Sequence, residues 1–278
     1  MTFRMPPDAA PAGLTLRMRD GPQALAFYRD LLGLDAETVD GGWIRLHPGG
    51  GAMSLDLLVE PAARPRPPRA IGLYHFALLL PDRAGLAAVL RRLLEARWPL
   101  DGASDHGVSE ALYLQDPEGN GIELYCDRPR DRWARDRGGL VMVTEALDIS
   151  DLLATTPAAG PLHPGTRLGH MHLSVADLTA GEAFYAGGLG LNVIQRSYPG
   201  ALFLAAGDYH HHLGLNIWGS RRPAPDGATG LVRYVWGTPP GTGEALARHL
   251  TAQRIPFRSE DGGLVVTDPS GIAVEIAA

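Results

Sequence analysis

This sequence has few or none of several residue types, and each absence excludes a class of chemistry. Cys126 is the only cysteine, which excludes a disulfide scaffold and cysteine-rich zinc or iron–sulfur sites. There is no lysine, so neither Schiff-base catalysis nor a lysine-bearing phosphate loop is available. Residues 1–11 lack the apolar core of a signal peptide, and no apolar run approaches the roughly 20 residues of a membrane span. We therefore predict a cytoplasmic protein that does not bind a membrane.

The charge of the chain gives no indication of a polyanionic partner. The net charge is −6, and no run of basic residues suggests nucleic acid. With 278 residues, of which 45% are apolar, the chain can form one large domain or two domains of ordinary size. The prediction is a folded protein with no nucleic-acid partner.

A nine-residue run near the N-terminus recurs in the second half of the chain. The run AFYRDLLGL reappears as AFYAGGLGL, and an aspartate, Asp20 or Asp177, stands seven residues before the phenylalanine in each copy. Each run predicts a helix that ends at a glycine, Gly33 or Gly190, in the C′ position where φ is positive.

A second motif recurs in the same way. Asp-Pro-x-Gly begins at Asp116 and again at Asp268, and each copy leads to a glutamate, Glu123 or Glu275. The second half of the chain thus repeats the motifs of the first half, and each half divides again into two units. Each unit is predicted to contain one strand, one helix and then three strands.

Apolar runs and their periodicity place the predicted elements. A helix in the second unit has an apolar stripe at i, i+3, i+4, i+7 and i+8, formed by Leu86, Val89, Leu90, Leu93 and Leu94. A short helix is also predicted at 148–154, and the fourth unit repeats the pattern from 232 to 276. Strands are predicted at 14–18, 43–46, 54–59, 74–80, 111–114, 121–125, 172–175, 201–205 and 213–218.

Proline-rich stretches at 61–68 and 221–227 separate the units within each half. The longest connector, at 129–166, separates the two halves. The four predicted modules lie at 12–60, 70–128, 167–220 and 229–278.

Residues at fixed spacing in module two resemble the signature of extradiol dioxygenases. His106 is followed by Tyr113, by Asp116-Pro117-x-Gly119 and by Glu123, so several residue types agree with that signature. Ser104 departs from it, because the family usually has glycine, asparagine or an apolar residue two places before the histidine. The chain is therefore similar to bacterial catechol 2,3-dioxygenases of the vicinal-oxygen-chelate superfamily.

The resemblance implies an α+β fold, in which four βαβββ modules form two open β-barrel-like cavities. It also implies a metal held by a histidine from the first strand of each of two paired modules and by a carboxylate from a last strand. His75 and His170 each stand seven residues before an aspartate of their module, and Glu123 lies on the last strand of module two. His172 stays an alternative to His170, because residues two apart on a strand share a face.

The other two modules lack this ligand pattern. Gly13 and Arg233 occupy the positions that correspond to His75, and Glu275 has no histidine partner. A lone buried histidine or glutamate is more often structural than a ligand, so the prediction depends on the whole set. We therefore interpret modules one and four as structural and predict that modules two and three share the active cavity.

The resemblance also implies acid–base groups beside the metal. The run YHHHLGLN at 209–216 is similar to the strand that supplies a catalytic histidine in these dioxygenases. His212 is the first candidate and His211 the second, and on a strand the two would face opposite sides. His106 and Tyr113 match the histidine and the tyrosine that hydrogen-bond substrate oxygens in the family.

The implied cofactor is Fe(II), with Mn(II) as the alternative, because two imidazoles and one carboxylate leave positions open for substrate and O₂. The implied partners are a catechol-type aromatic diol and O₂, and we expect a homo-oligomer. A glyoxalase-like isomerase or lyase is one alternative, but such sites use four protein ligands, and module three offers Asn216 and no acid. A non-catalytic binding protein of the same fold is the other alternative, and it would need no such triad.

Overall fold

The computed structural model describes residues 3–39, 41–51, 53–136, 139–156, 158–219, 221–260 and 262–277. The predicted ends of modules three and four, at 220 and 278, lie outside these ranges. In chain order the strands are β1 Ala10–Met18, β2 Asp35–Val39, β3 Trp43–His47, β4 Ser54–Val59, β5 Gly72–Leu79, β6 Gly102–Asp105, β7 Ser109–Gln115, β8 Gly121–Asp127, β9 Arg135–Asp136, β10 Gly139–Leu140, β11 Glu145–Ala146, β12 Arg167–Ser174, β13 Asn192–Gln195, β14 Ala201–Ala205, β15 Leu213–Asn216, β16 Gly230–Gly237, β17 Phe257–Glu260, β18 Gly263–Thr267 and β19 Ala273–Ala277.

Helices connect the strands within the modules and in the connector. They are α1 Gly21–Leu25, α2 Arg83–Glu95, α3 Ile149–Ala154, α4 Leu178–Glu182 and α5 Thr242–Gln253. The first and fourth helices continue into π-helical turns at Ala26–Leu31 and Ala183–Gly188, and a 3₁₀ turn covers Arg130–Arg132. None of the helices in the described ranges combines the length and the apolar character that crossing a bilayer requires.

The element order repeats one strand, one helix and three strands four times, which confirms the predicted fold class. The modules begin at β1, β5, β12 and β16. Strands β2, β6, β13 and β17 directly follow the helices, and the sequence analysis located none of them. None of their side chains is fully buried, so they lack the apolar runs by which the other strands were found.

Most of the strands form two large sheets, and β9 and β10 form a separate two-stranded sheet. The strand order is β17-β18-β19-β16-β1-β4-β3-β2 in one sheet and β11-β6-β7-β8-β5-β12-β15-β14-β13 in the other. The first sheet takes its strands from modules one and four, and the second takes its strands from modules two and three and from the connector.

The chain divides into two compact units, one of which comprises 1–16, 64–74 and 170–278. Within this unit β12 runs parallel to β15, and β16 runs parallel to β19. In each of modules three and four, the first strand is therefore the direct neighbour of the last strand. This pairing sets the register between the side chains of the two strands.

The other unit comprises 17–63 and 75–169, and within it β5 runs parallel to β8. The predicted stripe of α2 is buried at Leu86, Val89, Leu90 and Leu93. The prediction was wrong for Leu94, which is 47% exposed, because this residue lies in the last turn at the margin of the stripe.

The repeated aspartates and glycines mark the two ends of the repeated helices. The carboxylates of Asp20 and Asp177 each accept the backbone N–H group three residues later, so both residues are N-caps. Gly33 and Gly190 follow the C-terminal caps with φ of 83° and 73°, as predicted.

The two repeated motifs contact each other in the folded chain. The Tyr28 hydroxyl donates to the Asp116 carboxylate at 2.7 Å, and the Tyr185 hydroxyl donates to Asp268 at 3.0 Å. Asp116 also accepts two backbone N–H groups of its own turn, and burial raises the pKa of its carboxyl group. The Asp-Pro-x-Gly motif thus fixes the turn that leads into β8, the strand that carries Glu123.

Replacing Asp116 with alanine should destabilise the fold by about 3 kcal/mol, because several buried donors would lose their acceptor. Urea denaturation at neutral pH measures this change. Asp101, whose carboxylate accepts an exposed hydrogen bond from Gln115, is the matched control. Asp101→Ala should change the free energy of unfolding by less than about 0.5 kcal/mol. Equal effects of the two substitutions would contradict the structural role of Asp116.

Candidate metal centre

Strands β5 and β8 place His75 and Glu123 side by side. Ala77 lies opposite Glu123 in this parallel pair, and His75 stands two residues before Ala77, so the three face one side of the sheet. His75 Nε2 lies 3.1 Å from Glu123 Oε2, and the two side chains are 8% and 4% exposed. A carboxylate buried to this degree requires a proton or a cation beside it.

His170, on β12, completes the predicted set of ligands. One ligand atom from each of His75, Glu123 and His170 lies within 4.8 Å of the other two, and all three residues are buried. Two imidazoles and one carboxylate are a donor set that suits Fe(II) and leaves coordination positions open. The described residues therefore contain a cluster that could bind a metal ion.

Strand register identifies the residue of module three that corresponds to Glu123. Glu123 lies opposite Ala77, which stands two residues after the candidate ligand His75. In the same way Gly214 lies opposite His172, which stands two residues after the candidate ligand His170. The sequence alone offered Asn216 and no acid in this region, and the register shows that the corresponding residue is Gly214, because periodicity alone does not reveal the offset between neighbouring strands. Module three therefore offers no fourth protein ligand at this position.

His172, the alternative ligand in the sequence, covers the backbone at Gly214. A Cβ atom built on Gly214 would lie 3.0 Å from the His172 ring, so a larger residue there would have to displace the ring. The cluster contains His170 and not His172. The His172 ring occupies the space into which the side chain of a fourth ligand at position 214 would extend.

Module four retains the carboxylate without the histidine. Glu275 lies opposite Val235, and Arg233 stands two residues before Val235, so the arginine and the glutamate face the same side. Arg233 Nη1 lies 3.3 Å from Glu275 Oε2. A guanidinium in this position neutralises the carboxylate and repels a metal cation, so this pair does not offer a metal site.

His106 and Tyr113 form a hydrogen-bonded pair beside His75. The Tyr113 hydroxyl lies 2.7 Å from His106 Nε2, and His106 Nδ1 lies 2.7 Å from the backbone carbonyl oxygen of Val143. A carbonyl oxygen can only accept, so Nδ1 of the neutral ring carries the proton and Nε2 accepts a hydrogen bond from the tyrosine. The centroids of the Tyr113 and His75 rings are 5.8 Å apart.

Val143 contributes to the candidate site, and the sequence analysis missed it. It lies in the connector and acts through its backbone carbonyl, which fixes the tautomer of His106. No side-chain pattern could have revealed it, because any residue can offer a backbone acceptor.

The three histidines at 210–212 lie in the bend before β15, so the prediction that they belong to a strand was wrong. The chain turns at Gly207, where φ is 64°, and joins β15 only at Leu213. The ring of His211 lies 4.1 Å from the ring of His170, measured between centroids. His211 Nδ1 also lies 2.8 Å from Nδ1 of His210.

His212, the first acid–base candidate from the sequence, has a different environment. Its ring stacks on Tyr209 at 4.7 Å between centroids and meets the Trp236 ring edge-on at 5.8 Å. Its Nδ1 accepts the backbone N–H group of Ala206. These contacts favour a structural role for His212 and make His211 the better candidate.

Cys126 lies on β8 but is not a candidate ligand. It stands three residues after Glu123, so its side chain points to the opposite face of the strand. Burial raises the pKa of its thiol to about 12. The thiol therefore stays protonated near neutral pH and does not supply a thiolate to a metal.

Repeated βαβββ modules and a buried cluster of two histidines and one glutamate define a protein of the vicinal-oxygen-chelate type. The chain belongs to the Glyoxalase/Bleomycin resistance protein/Dioxygenase superfamily, whose family model matches residues 12–124 and 167–276. Both matched segments begin and end within the predicted pairs of modules.

Similar proteins are known by sequence and by structure. The chain is 46% identical over 231 residues to a Bacillus subtilis (strain 168) protein named catechol-2,3-dioxygenase, a match that covers 80% of each chain. The crystal structure of a candidate dioxygenase from Bacillus subtilis subsp. subtilis str. 168 superposes with a TM-score of 0.71 at 14% identity, covering 99% of this chain and 86% of that one. Glyoxalase I from Zea mays superposes with a TM-score of 0.59 at 15% identity, covering 97% and 92%. At these identities the two structures show the fold alone.

Proposed function

We propose that this chain is an Fe(II)-dependent extradiol dioxygenase that cleaves a catechol-type aromatic diol with O₂. The observation that carries the proposal is the ligand set, in which three side chains cluster and Gly214 stands where a fourth ligand would be. A metal held by three side chains keeps positions open for two diol oxygens and for O₂. The name of the 46% identical relative, catechol-2,3-dioxygenase, supports the same activity.

His75, Glu123 and His170 are the residues that would hold the iron. Fe(II) supplies the redox chemistry by which the ring gives electrons to O₂, whereas zinc has no such chemistry. Mn(II) is the alternative for the same donor set. Two neutral imidazoles and one carboxylate leave the divalent site with a net charge of about +1, which favours a singly deprotonated diol.

The surrounding side chains account for the proton that the diol must lose. His211, whose ring lies against the ligand His170, accepts the proton of one hydroxyl and returns it when the ring opens. Val143 holds His106, and His106 in turn orients the Tyr113 hydroxyl beside His75. From there the Tyr113 oxygen, whose own proton goes to His106, can accept a hydrogen bond from the substrate hydroxyl that keeps its proton.

The reaction balances without a further reductant. One ring carbon–carbon bond next to a hydroxyl-bearing carbon breaks, and both atoms of O₂ enter the product, which is a ring-opened semialdehyde. The diol itself supplies all the electrons that reduce O₂.

The test is to load the protein with Fe(II) without air, add catechol or 4-methylcatechol, and then admit air. We expect a yellow product and a matching uptake of O₂, and protein loaded with Zn(II) should give neither. Protein with about one iron per chain that forms no product would contradict the proposal. Protein that binds a diol but no metal would support a binding protein instead.

The glyoxalase-like alternative is disfavoured by the site. Such enzymes need a fourth ligand from the second module, and Gly214 occupies that position under the His172 ring. The fold resemblance to glyoxalase I therefore does not extend to the ligand set.

A further inference from the structure

A band of aromatic side chains extends from His211 to the protein surface. It consists of Phe203, His172, Trp218 and Tyr74. Successive ring centroids lie 5.0 Å apart from His211 to Phe203, then 5.8, 5.4 and 5.5 Å apart along the band. The last ring, Tyr74, is 46% exposed. A single catechol ring covers only one of these steps, so the band offers more contact than catechol itself can use.

Asn216 lies beside this aromatic band with a fixed orientation. The Trp218 backbone N–H and the Ser174 hydroxyl both donate to Asn216 Oδ1, each at 3.2 Å. Because a backbone N–H can only donate, the amide oxygen must face it, and the position of Nδ2 follows.

The Nδ2 group of Asn216 is a buried donor with no acceptor within the described part of the chain. The residue itself is fully buried. An unsatisfied buried donor costs about 1–3 kcal/mol, so a protein that keeps one gains from any ligand that brings an acceptor. The Nδ2 group therefore indicates a ligand subsite, which a ligand reaches by displacing the side chains that cover it.

Strand register places Asn216 on the face of the sheet that carries His170. Ser174 stands four residues after His170 on β12 and lies opposite Asn216, and residues an even number apart share a face. Phe203 lies opposite Gly214, two residues before Asn216, and so faces the same side. Four residues of strand span about 13 Å, which sets the distance along the sheet between His170 and this subsite.

We propose that the substrate is a catechol whose ring bears a side chain of a few carbons ending in an oxygen acceptor, which Asn216 Nδ2 binds. This inference rests on the proposed function, because the diol must lie at the metal for the side chain to reach Asn216. The aromatic band contacts the ring and the apolar part of the side chain. An unsubstituted catechol leaves the Asn216 donor unpaired, so it is bound without this contact.

Anaerobic calorimetry on the Fe(II)-loaded protein tests the inference, because without O₂ binding is measured apart from turnover. The probes are 3-(3,4-dihydroxyphenyl)propanamide, which carries the acceptor, and 4-butylcatechol, which has a similar length and none. Asn216→Asp keeps the oxygen that Trp218 and Ser174 need but loses the donor. We expect it to weaken binding of the amide about 10-fold and to change binding of 4-butylcatechol less than about 2-fold.

Ser174→Ala is the matched control, because it removes a bond to Asn216 Oδ1 and keeps the Nδ2 donor. It should preserve the preference for the amide. If Asn216→Asp does not fold, Asn216→Ala must show the same selective loss. A wild-type protein that prefers 4-butylcatechol, or variants that weaken both probes equally, would overturn the inference while catechol cleavage still stands. A wild-type protein that binds no diol would overturn the proposed function as well.

Discussion

Alanine at His75 or His170 should abolish ring cleavage and reduce bound iron from about one ion per chain to almost none. Each substitution removes one of the three ligand atoms that lie within 4.8 Å of one another. The loss of kcat/KM should exceed the roughly 100-fold that removal of an outer partner of a ligand costs. Metal analysis of the purified variants and the rate of O₂ uptake measure the two effects.

His172→Ala is the control for this prediction. His172 stands two residues from His170 and shares its strand face, but it lies over Gly214 and does not belong to the cluster. The variant should therefore retain its iron. Loss of iron in His172→Ala, together with retention of iron in His170→Ala, would show that His172 and not His170 binds the metal.

His211→Ala should lower kcat by about 10²- to 10⁴-fold, which is the usual contribution of a general acid–base group. The bound iron should stay unchanged, because His211 contacts the ligand His170 through its ring and does not belong to the cluster. Single-turnover measurements with catechol and O₂ distinguish this loss from slower product release.

His212→Ala separates the two candidate histidines. The His212 ring contacts Tyr209 and Trp236, so its removal should reduce thermal stability and should lower kcat by less than about 10-fold. If His212→Ala lost as much activity as we expect of His211→Ala while remaining folded, the acid–base role would belong to His212.

The repeats made most of the fold predictable from the sequence. The aspartates that precede each helix and the glycines that follow it carry local backbone information, and they were found because each motif occurs twice. The four strands that follow the helices could not be located, because their side chains are at least partly exposed and leave no apolar pattern. Strands could be located from the sequence where their side chains are buried and therefore apolar.

The candidate site was predictable to the extent that side-chain identity determines it. The resemblance implied two histidines and a carboxylate, and the equal offsets of His75 and His170 from an aspartate decided for His170 over His172. The choice between His211 and His212 could not be made, since it depends on how the chain turns after Gly207. The residue of module three that corresponds to Glu123 could not be identified, because register between strands is a tertiary property, which the sequence of one strand does not contain.

We expect the cluster of two histidines and one glutamate to direct both atoms of O₂ into an aromatic diol. The measurement that tests it most directly is mass spectrometry of the product formed from catechol and ¹⁸O₂ by the Fe(II)-loaded protein. The account predicts a ring-opened product in which both added oxygen atoms carry the label when its aldehyde oxygen is trapped before exchange with water. A product that contains one labelled atom and one oxygen from water under the same trapping, or diol that is recovered unchanged while iron stays bound, would contradict it.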